Sequence, residues 1–175
     1  MALWAFEGRR PVIGEGTFVP ESADVVGDVR LGEGCFVGMG ARLRGDYGTI
    51  FIGDETSVQE NVVIHARAGE ATRVGKRVQL GHACALHNCV VEDSAVIGVG
   101  AVVSDYAVVG EWAIVAEGAV VRTGQRVEPR TVVGGVPAKA LGPVTEEHQK
   151  LWDAYKDTYA DLARRRYPAG LKRIG

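Results

Sequence analysis

The chain has 175 residues, 46% of them hydrophobic, and its 20 Lys and Arg nearly balance 22 Asp and Glu for a formal net charge of −2. That length suits one domain with a sizeable core, and arginines scattered apart from Arg164 to Arg166 exclude a dedicated nucleic-acid surface. No apolar run approaches the ~18 residues of a membrane span, the start MALWAFEGRR lacks a signal peptide's apolar core, and three cysteines make an odd count, so we expect a cytoplasmic protein with no membrane partner and no disulfide framework.

An internal repeat organises the chain from Ile13 onward. Aliphatic residues recur every six positions at Ile13, Val19, Val25, Leu31, Val37 and Leu43, then at Ile52, Val58 and Ile64, then at Val74, Leu80 and Leu86. The series resumes at Val91, Ile97, Val103, Val109, Val115, Val121, Val127 and Val133. Two positions before most of these sits a small residue, such as Ala23, Cys35, Thr56, Cys84, Cys89 or Ala101, and a glycine often follows, as at Gly53 and Gly81. A spacing of two puts both side chains on one face of a strand, and we assign the glycines to the corners where the chain bends. The pattern is that of a mainly β protein, a parallel β-helix of hexapeptide repeats over residues 1–137.

The stretch GHACALHNC, Gly81 to Cys89, combines two histidines and two cysteines. The register assigns Cys35, Cys84 and Cys89 to the small inward position, where a thiol behaves as a small hydrophobe, and turns His82 and His87 outward. With three repeats per triangular coil, Arg44, His65 and His87 form one column up a single face, while Gln59 and His82 belong to another. Adjacent coils lie roughly 4.7–4.9 Å apart, so His65 and His87 can reach one ion, but His82 can join them only from a second subunit. A cyclic trimer is the natural closure for a three-sided prism. Three unrelated surface histidines are the plain alternative, weakened because three of the four fall within 23 residues and two stack in register.

Residues 138–175 are expected to form a linker and a C-terminal helix that packs on the prism or on a neighbouring subunit. Thr145 is a plausible N-cap, Glu146 and Glu147 favour the first turn, and Arg164 to Arg166 belong to the last turn before Pro168 and Gly170. Leu151, Trp152, Tyr155, Tyr159 and Leu162 make an apolar stripe at helical spacing, and His148 is assigned to solvent.

Arg44-Gly45-Asp46, Ser57-Val58-Gln59 leading to His65, and Gly81-His82 followed by His87 together resemble the γ-class carbonic anhydrase family of left-handed hexapeptide β-helix proteins. The likeness runs from about Ile13 to Pro137 and extends to a C-terminal helix. It implies a left-handed coil and a homotrimer with intersubunit metal sites, in which His65 and His87 come from one subunit and His82 from the next. It further implies that Gln59 contacts bound water or substrate and that Arg44 and Asp46 pair at the interface. Three neutral imidazoles leave zinc able to ionise a bound water near pH ~7, which would hydrate carbon dioxide to bicarbonate; iron or cobalt also suits nitrogen donors.

The sequence departs from the family pattern in its proton-transfer groups. Tyr47 stands where a glutamate would directly follow the Arg-x-Asp unit, and the loop after His65 is the short ARAGEATR, with Glu70 its only acid. Glu70 is therefore the candidate proton acceptor, and slow turnover is expected. The shared metal site leaves an acyl-CoA thioesterase open, the fold leaves a hexapeptide acyltransferase open, and a non-catalytic trimeric scaffold is the third alternative.

Overall fold

The computed structural model describes residues 2–174. They form a parallel β-solenoid of about 7 turns, the left-handed β-helix, followed by a single C-terminal helix. Strands on the first face include 42–44, Val63–His65, Ala85–His87, Val102–Val103 and Val120–Val121. Strands 49–52, Ala71–Val74, Val90–Val91, Val108–Val109 and Arg126–Val127 build the second, and the long strand Arg42–Ile52 turns the corner between the two. The third runs through Phe36–Val37, Ser57–Val58, Gln79–Leu80, Val96–Ile97, Ile114–Val115 and Thr131–Gly134.

The aliphatic series is the core. Val25, Leu43, Val58, Ile64, Leu80, Ile97, Val103, Val109, Val115 and Val121 are fully buried in one continuous column, each worth roughly 1.5–3 kcal/mol over exposure. The small position is as tightly enclosed, since Ala23, Cys35, Ala41, Thr56, Thr72 and Cys84 have no exposed surface. A hydroxyl buried there needs a partner, and each threonine finds one on the chain: Thr56 Oγ1 donates to Gly75 O at 2.7 Å and Thr72 Oγ1 to His65 O at 2.6 Å. Burial pushes the thiols up, Cys35 to about 11 and Cys84 and Cys89 to about 12.

The glycines after the aliphatic residues serve a different purpose from the one assigned. A Cβ on Gly53 would stand 2.6 Å from the Gly75 carbonyl carbon, and one on Gly81 would stand 2.8 Å from Ile97 O. Close approach of successive coils excludes a side chain at these positions, without any need for a positive φ. The left-handed corner conformation falls elsewhere, on residues such as Asn61, Ala83, Asn88 and Tyr106.

Beyond the prism, the segment read as a linker forms the strand Lys139–Pro143, which returns antiparallel along Thr131–Gly134 after a cis Val136–Pro137 peptide. This return pairs the last parallel strand of the third face, which would otherwise leave an open edge.

Thr145 caps the helix Glu146–Asp161 as expected, but His148 is a capping partner and not a free surface group. Its Nδ1 accepts from Thr145 N at 3.1 Å while its own N–H donates to Thr145 Oγ1 at 3.2 Å. The helix also continues past Arg164 to Arg166, through a wider π-helical turn Leu162–Arg166 into Tyr167–Gly170. The Tyr167 N–H has shifted to Leu162 O, five residues back, so the ladder is already offset where Pro168 offers no donor.

Packing follows the predicted stripe only in part. Trp152, Tyr159 and Leu162 are half-buried, whereas Leu151 and Tyr155 remain 51% and 48% exposed. The buried positions are Lys156, Ala160 and Ala163, one helical face. Lys156 Nζ donates to Ser94 O at 2.8 Å and lies 3.7 Å from the centre of the Trp112 ring, contacts that offset part of the cost of its burial. Among the described residues, no helix is long and apolar enough to cross a membrane.

Candidate functional site

Strand pairing fixes the histidine column. Arg44 pairs with His65 and His65 with His87, so the three residues stand on successive coils of the first face. The His65 carbonyl receives the Thr72 hydroxyl and the Asn88 N–H, which fixes this rung from both sides. His65 Nδ1 and His87 Nε2 face each other at 3.1 Å. The other nitrogen of each ring meets a carboxylate: His65 Nε2 is 3.0 Å from Asp46 Oδ1, and His87 Nδ1 contacts Asp105 Oδ1.

Each carboxylate is in turn gripped by an arginine. Arg44 Nη1 donates to Asp46 Oδ2 at 2.5 Å, and Arg67 Nη2 donates to Asp105 Oδ2 at 2.5 Å. Burial raises the Asp46 pKa, but Arg44, His65 and the Tyr47 N–H together outweigh it and hold the group below the usual carboxylate range. Arg67, with His87, holds Asp105 down to about 2. Both aspartates are therefore acceptors, and each fixes a proton on the histidine nitrogen it faces. With both rings neutral, that assignment puts the lone pairs on His65 Nδ1 and His87 Nε2, the two atoms that face one another. Burial lowers the His65 pKa against the opposing pull of Asp46, which favours the neutral ring.

This arrangement fits a transition metal. Two nitrogens bound to one zinc at ~2.0–2.1 Å in tetrahedral geometry stand ~3.3 Å apart, close to the separation found here. A carboxylate behind each histidine is the usual outer support of such a ligand.

The remaining candidates lie elsewhere on the chain. Val58 pairs with Leu80, so Gln59 and Gly81 continue the third face, and His82 stands at the corner beyond it, 2.7 Å from Glu60 Oε2. Gln59 is buried and lines a groove between this face and the helix, with Gln79, His82, Glu117, Trp152 and Tyr155. Among the described residues of one chain, no three His, Cys, Asp or Glu side chains converge as a metal-binding group.

Glu70 is engaged by two donors other than the histidines. Asn88 Nδ2 donates to one of its carboxylate oxygens and Tyr106 OH donates to the other at 3.1 Å. Tyr47 is 61% exposed, with its ring edge-on to His65. Sequence reading missed Arg67 and Asp105. Their signal was the coil register, which a five-residue step from Leu86 to Val91 obscures.

Comparisons with known proteins bear on this geometry. No family model matches the chain. A hexapeptide transferase family protein from Anaplasma phagocytophilum superposes with a TM-score of 0.90 at 33% identity, over 94% of this chain and 98% of that one. The chain belongs to the hexapeptide-repeat family. A second family structure, a Bacillus cereus protein provisionally assigned as an acetyltransferase, gives a TM-score of 0.91 at 28% identity over 93% of this chain and 95% of that one. The carnitine operon protein CaiE of Escherichia coli is 38% identical over 76 residues, a match that spans 43% of this chain and only 39% of CaiE. Membership of the family covers the prism and the helix, while the reaction has to be argued from the site.

Proposed function

We propose that the chain acts as a homotrimer in which His65 and His87 of one subunit and His82 of the partner subunit hold a zinc ion, and that it hydrates carbon dioxide to bicarbonate in the γ-carbonic anhydrase manner. The observation that carries this reading is the 3.1 Å approach of His65 Nδ1 to His87 Nε2, with the other nitrogen of each ring on its own carboxylate. Two neutral rings oriented in this way turn acceptor nitrogens toward each other, an arrangement that a cation bound to both would relieve. Zinc held by three neutral imidazoles supplies a Lewis acid and an acidified water with a pKa near ~7.

The chain's own residues supply orientation and proton handling. Gln59 has both an acceptor oxygen and a donor amide, so it can orient a water or hold a product oxygen. Arg44 fixes Asp46, and Asp46 fixes His65. Glu70 accepts the departing proton only after exchanging one of its present partners, Asn88 or Tyr106. Outward apolar groups beside the column, such as Val63 at 48% exposure, favour a subunit border there.

Metal analysis of protein purified without an affinity tag, followed by a carbon dioxide hydration assay, tests the reading. Bound zinc with metal-dependent hydration supports it, and a fully metallated trimer inactive at high buffer concentration rejects it.

The His87–Asp105 contact favours a second reading. A histidine backed by a carboxylate is also the arrangement of a general base, and the family structures named as transferases fit an acyl transfer. Metal-independent consumption of acetyl-CoA in the presence of an amine or alcohol acceptor, lost in His87→Ala, would select it.

A further inference from the structure

We infer that Asp105 and Arg67 are positioning residues for the same centre: Arg67 aims Asp105, and Asp105 fixes the proton of His87 on Nδ1 so that Nε2 offers its lone pair toward His65. The inference rests on the metal-centre reading above and extends it to two residues outside the motifs that pointed there.

The argument is geometric. Arg44, Asp46 and His65 form one arm in the order arginine, aspartate, histidine. Arg67, Asp105 and His87 form a second arm in the same order, assembled from different parts of the chain. Arg67 comes from the loop after His65, and Asp105 lies 38 residues later, beyond the next coil. The arms meet at His65 Nδ1 and His87 Nε2, 3.1 Å apart.

Chemistry decides what the second arm does. A carboxylate accepts and cannot donate, so His87 facing Asp105 must carry its proton on Nδ1. Without Asp105 the ring is free to carry that proton on Nε2 and donate it to His65 Nδ1. An ordinary hydrogen bond would then occupy both donor atoms and close the centre. Asp105 selects the open arrangement. Because each aspartate is answered by its own arginine, the two arms add no net charge beside the ion.

Arg67 is held in place as well. Its backbone N–H donates to Asn88 Oδ1 at 3.2 Å, and its guanidinium lies 5.9 Å from the centre of the Tyr106 ring.

The test has a metal-free arm and a metal arm, both on the full assembled chain. In ¹⁵N-histidine NMR of metal-free protein, His87 is expected as the Nδ1–H tautomer. Asp105→Ala should lose that signature, whereas Asp105→Asn, whose amide oxygen still accepts, should keep it in part. In chelator competition, the zinc dissociation constant should rise roughly 10- to 100-fold in Asp105→Ala and less in Arg67→Ala, with unchanged assembly mass. An Asp105→Ala protein that keeps the Nδ1–H tautomer, or binds zinc within about twofold of wild type, overturns the inference. If wild type binds no zinc, the metal reading fails by itself, and the tautomer comparison still decides the positioning role. Should Asp105→Ala not fold, Asp105→Asn and Arg67→Ala carry the same comparison.

Discussion

His65 Nδ1 and His87 Nε2 face each other at 3.1 Å across two adjacent coils, and the other nitrogen of each ring meets a carboxylate. Zinc binding should therefore depend on both rings and on His82. His65→Ala, His82→Ala and His87→Ala are each expected to remove most bound zinc, measured by mass spectrometry of metal content. His148→Ala should retain the metal while losing its half of the capping box, at about 0.5–1.5 kcal/mol of stability.

His82 occupies a different corner from the column, so on the proposed metal centre an intact site would need two subunits. Light scattering is expected to give three times the chain mass. Mixing His82→Ala with His87→Ala chains should restore part of the metal, since one border in a hybrid trimer then collects an undamaged set. A monomer at micromolar concentration, or exchanged hybrids without metal, would refute the intersubunit assignment.

Turnover is expected to be limited by proton export. Glu70 is engaged by Asn88 and Tyr106, and a tyrosine, Tyr47, stands where the family pattern places a carboxylate. Hydration should be slow, metal-dependent and strongly accelerated by an imidazole-type buffer, with Glu70→Ala lowering the low-buffer rate by a few-fold. A fast, buffer-independent rate in stopped-flow assays would mean that another group carries the proton.

The three thiols should be silent in the folded protein. Burial raises them to about 11 or 12, so the reactive thiolate is scarce at pH 8 and the sulfur is enclosed as well. An Ellman-type reagent is expected to titrate them only on unfolding. Rapid reaction of even one thiol in native protein would show that the inward assignment is wrong there.

Lys156 gives the helix a distinctive pH response. Burial lowers its pKa from 10.5 to about 8, with Asp153 and Asp157 opposing and Arg77 reinforcing the shift. The unfolded chain thus binds the proton more tightly. The cost of the charged, buried lysine is fully present below pH 8 and is relieved as pH rises from about 8 toward 10.5. Relative to wild type, Lys156→Met should lose this rise in thermal stability over that window. Parallel melting curves for the two proteins from pH 7.5 to 10.5 would contradict it.

The sequence determined the solenoid because its repeat is local. Alternation along a strand and the six-residue period name the inward residues one by one, and Leu43, Ile64 and Leu86 lie on the axis as counting predicts. The same counting aligned Arg44, His65 and His87, since register in a parallel coil follows arithmetic once the core positions are known. Tertiary structure decided whatever depends on side-chain reach or on shifts between coils. Asp105 meets His87 across an irregular step, and Arg67 reaches Asp105 from a loop outside the period. A glycine chosen for the close approach of coils reads in sequence like a glycine chosen for a turn. The buried lysine on the helix was equally hidden, because Ser94 O and the Trp112 ring make its burial tolerable and neither is a neighbour along the chain.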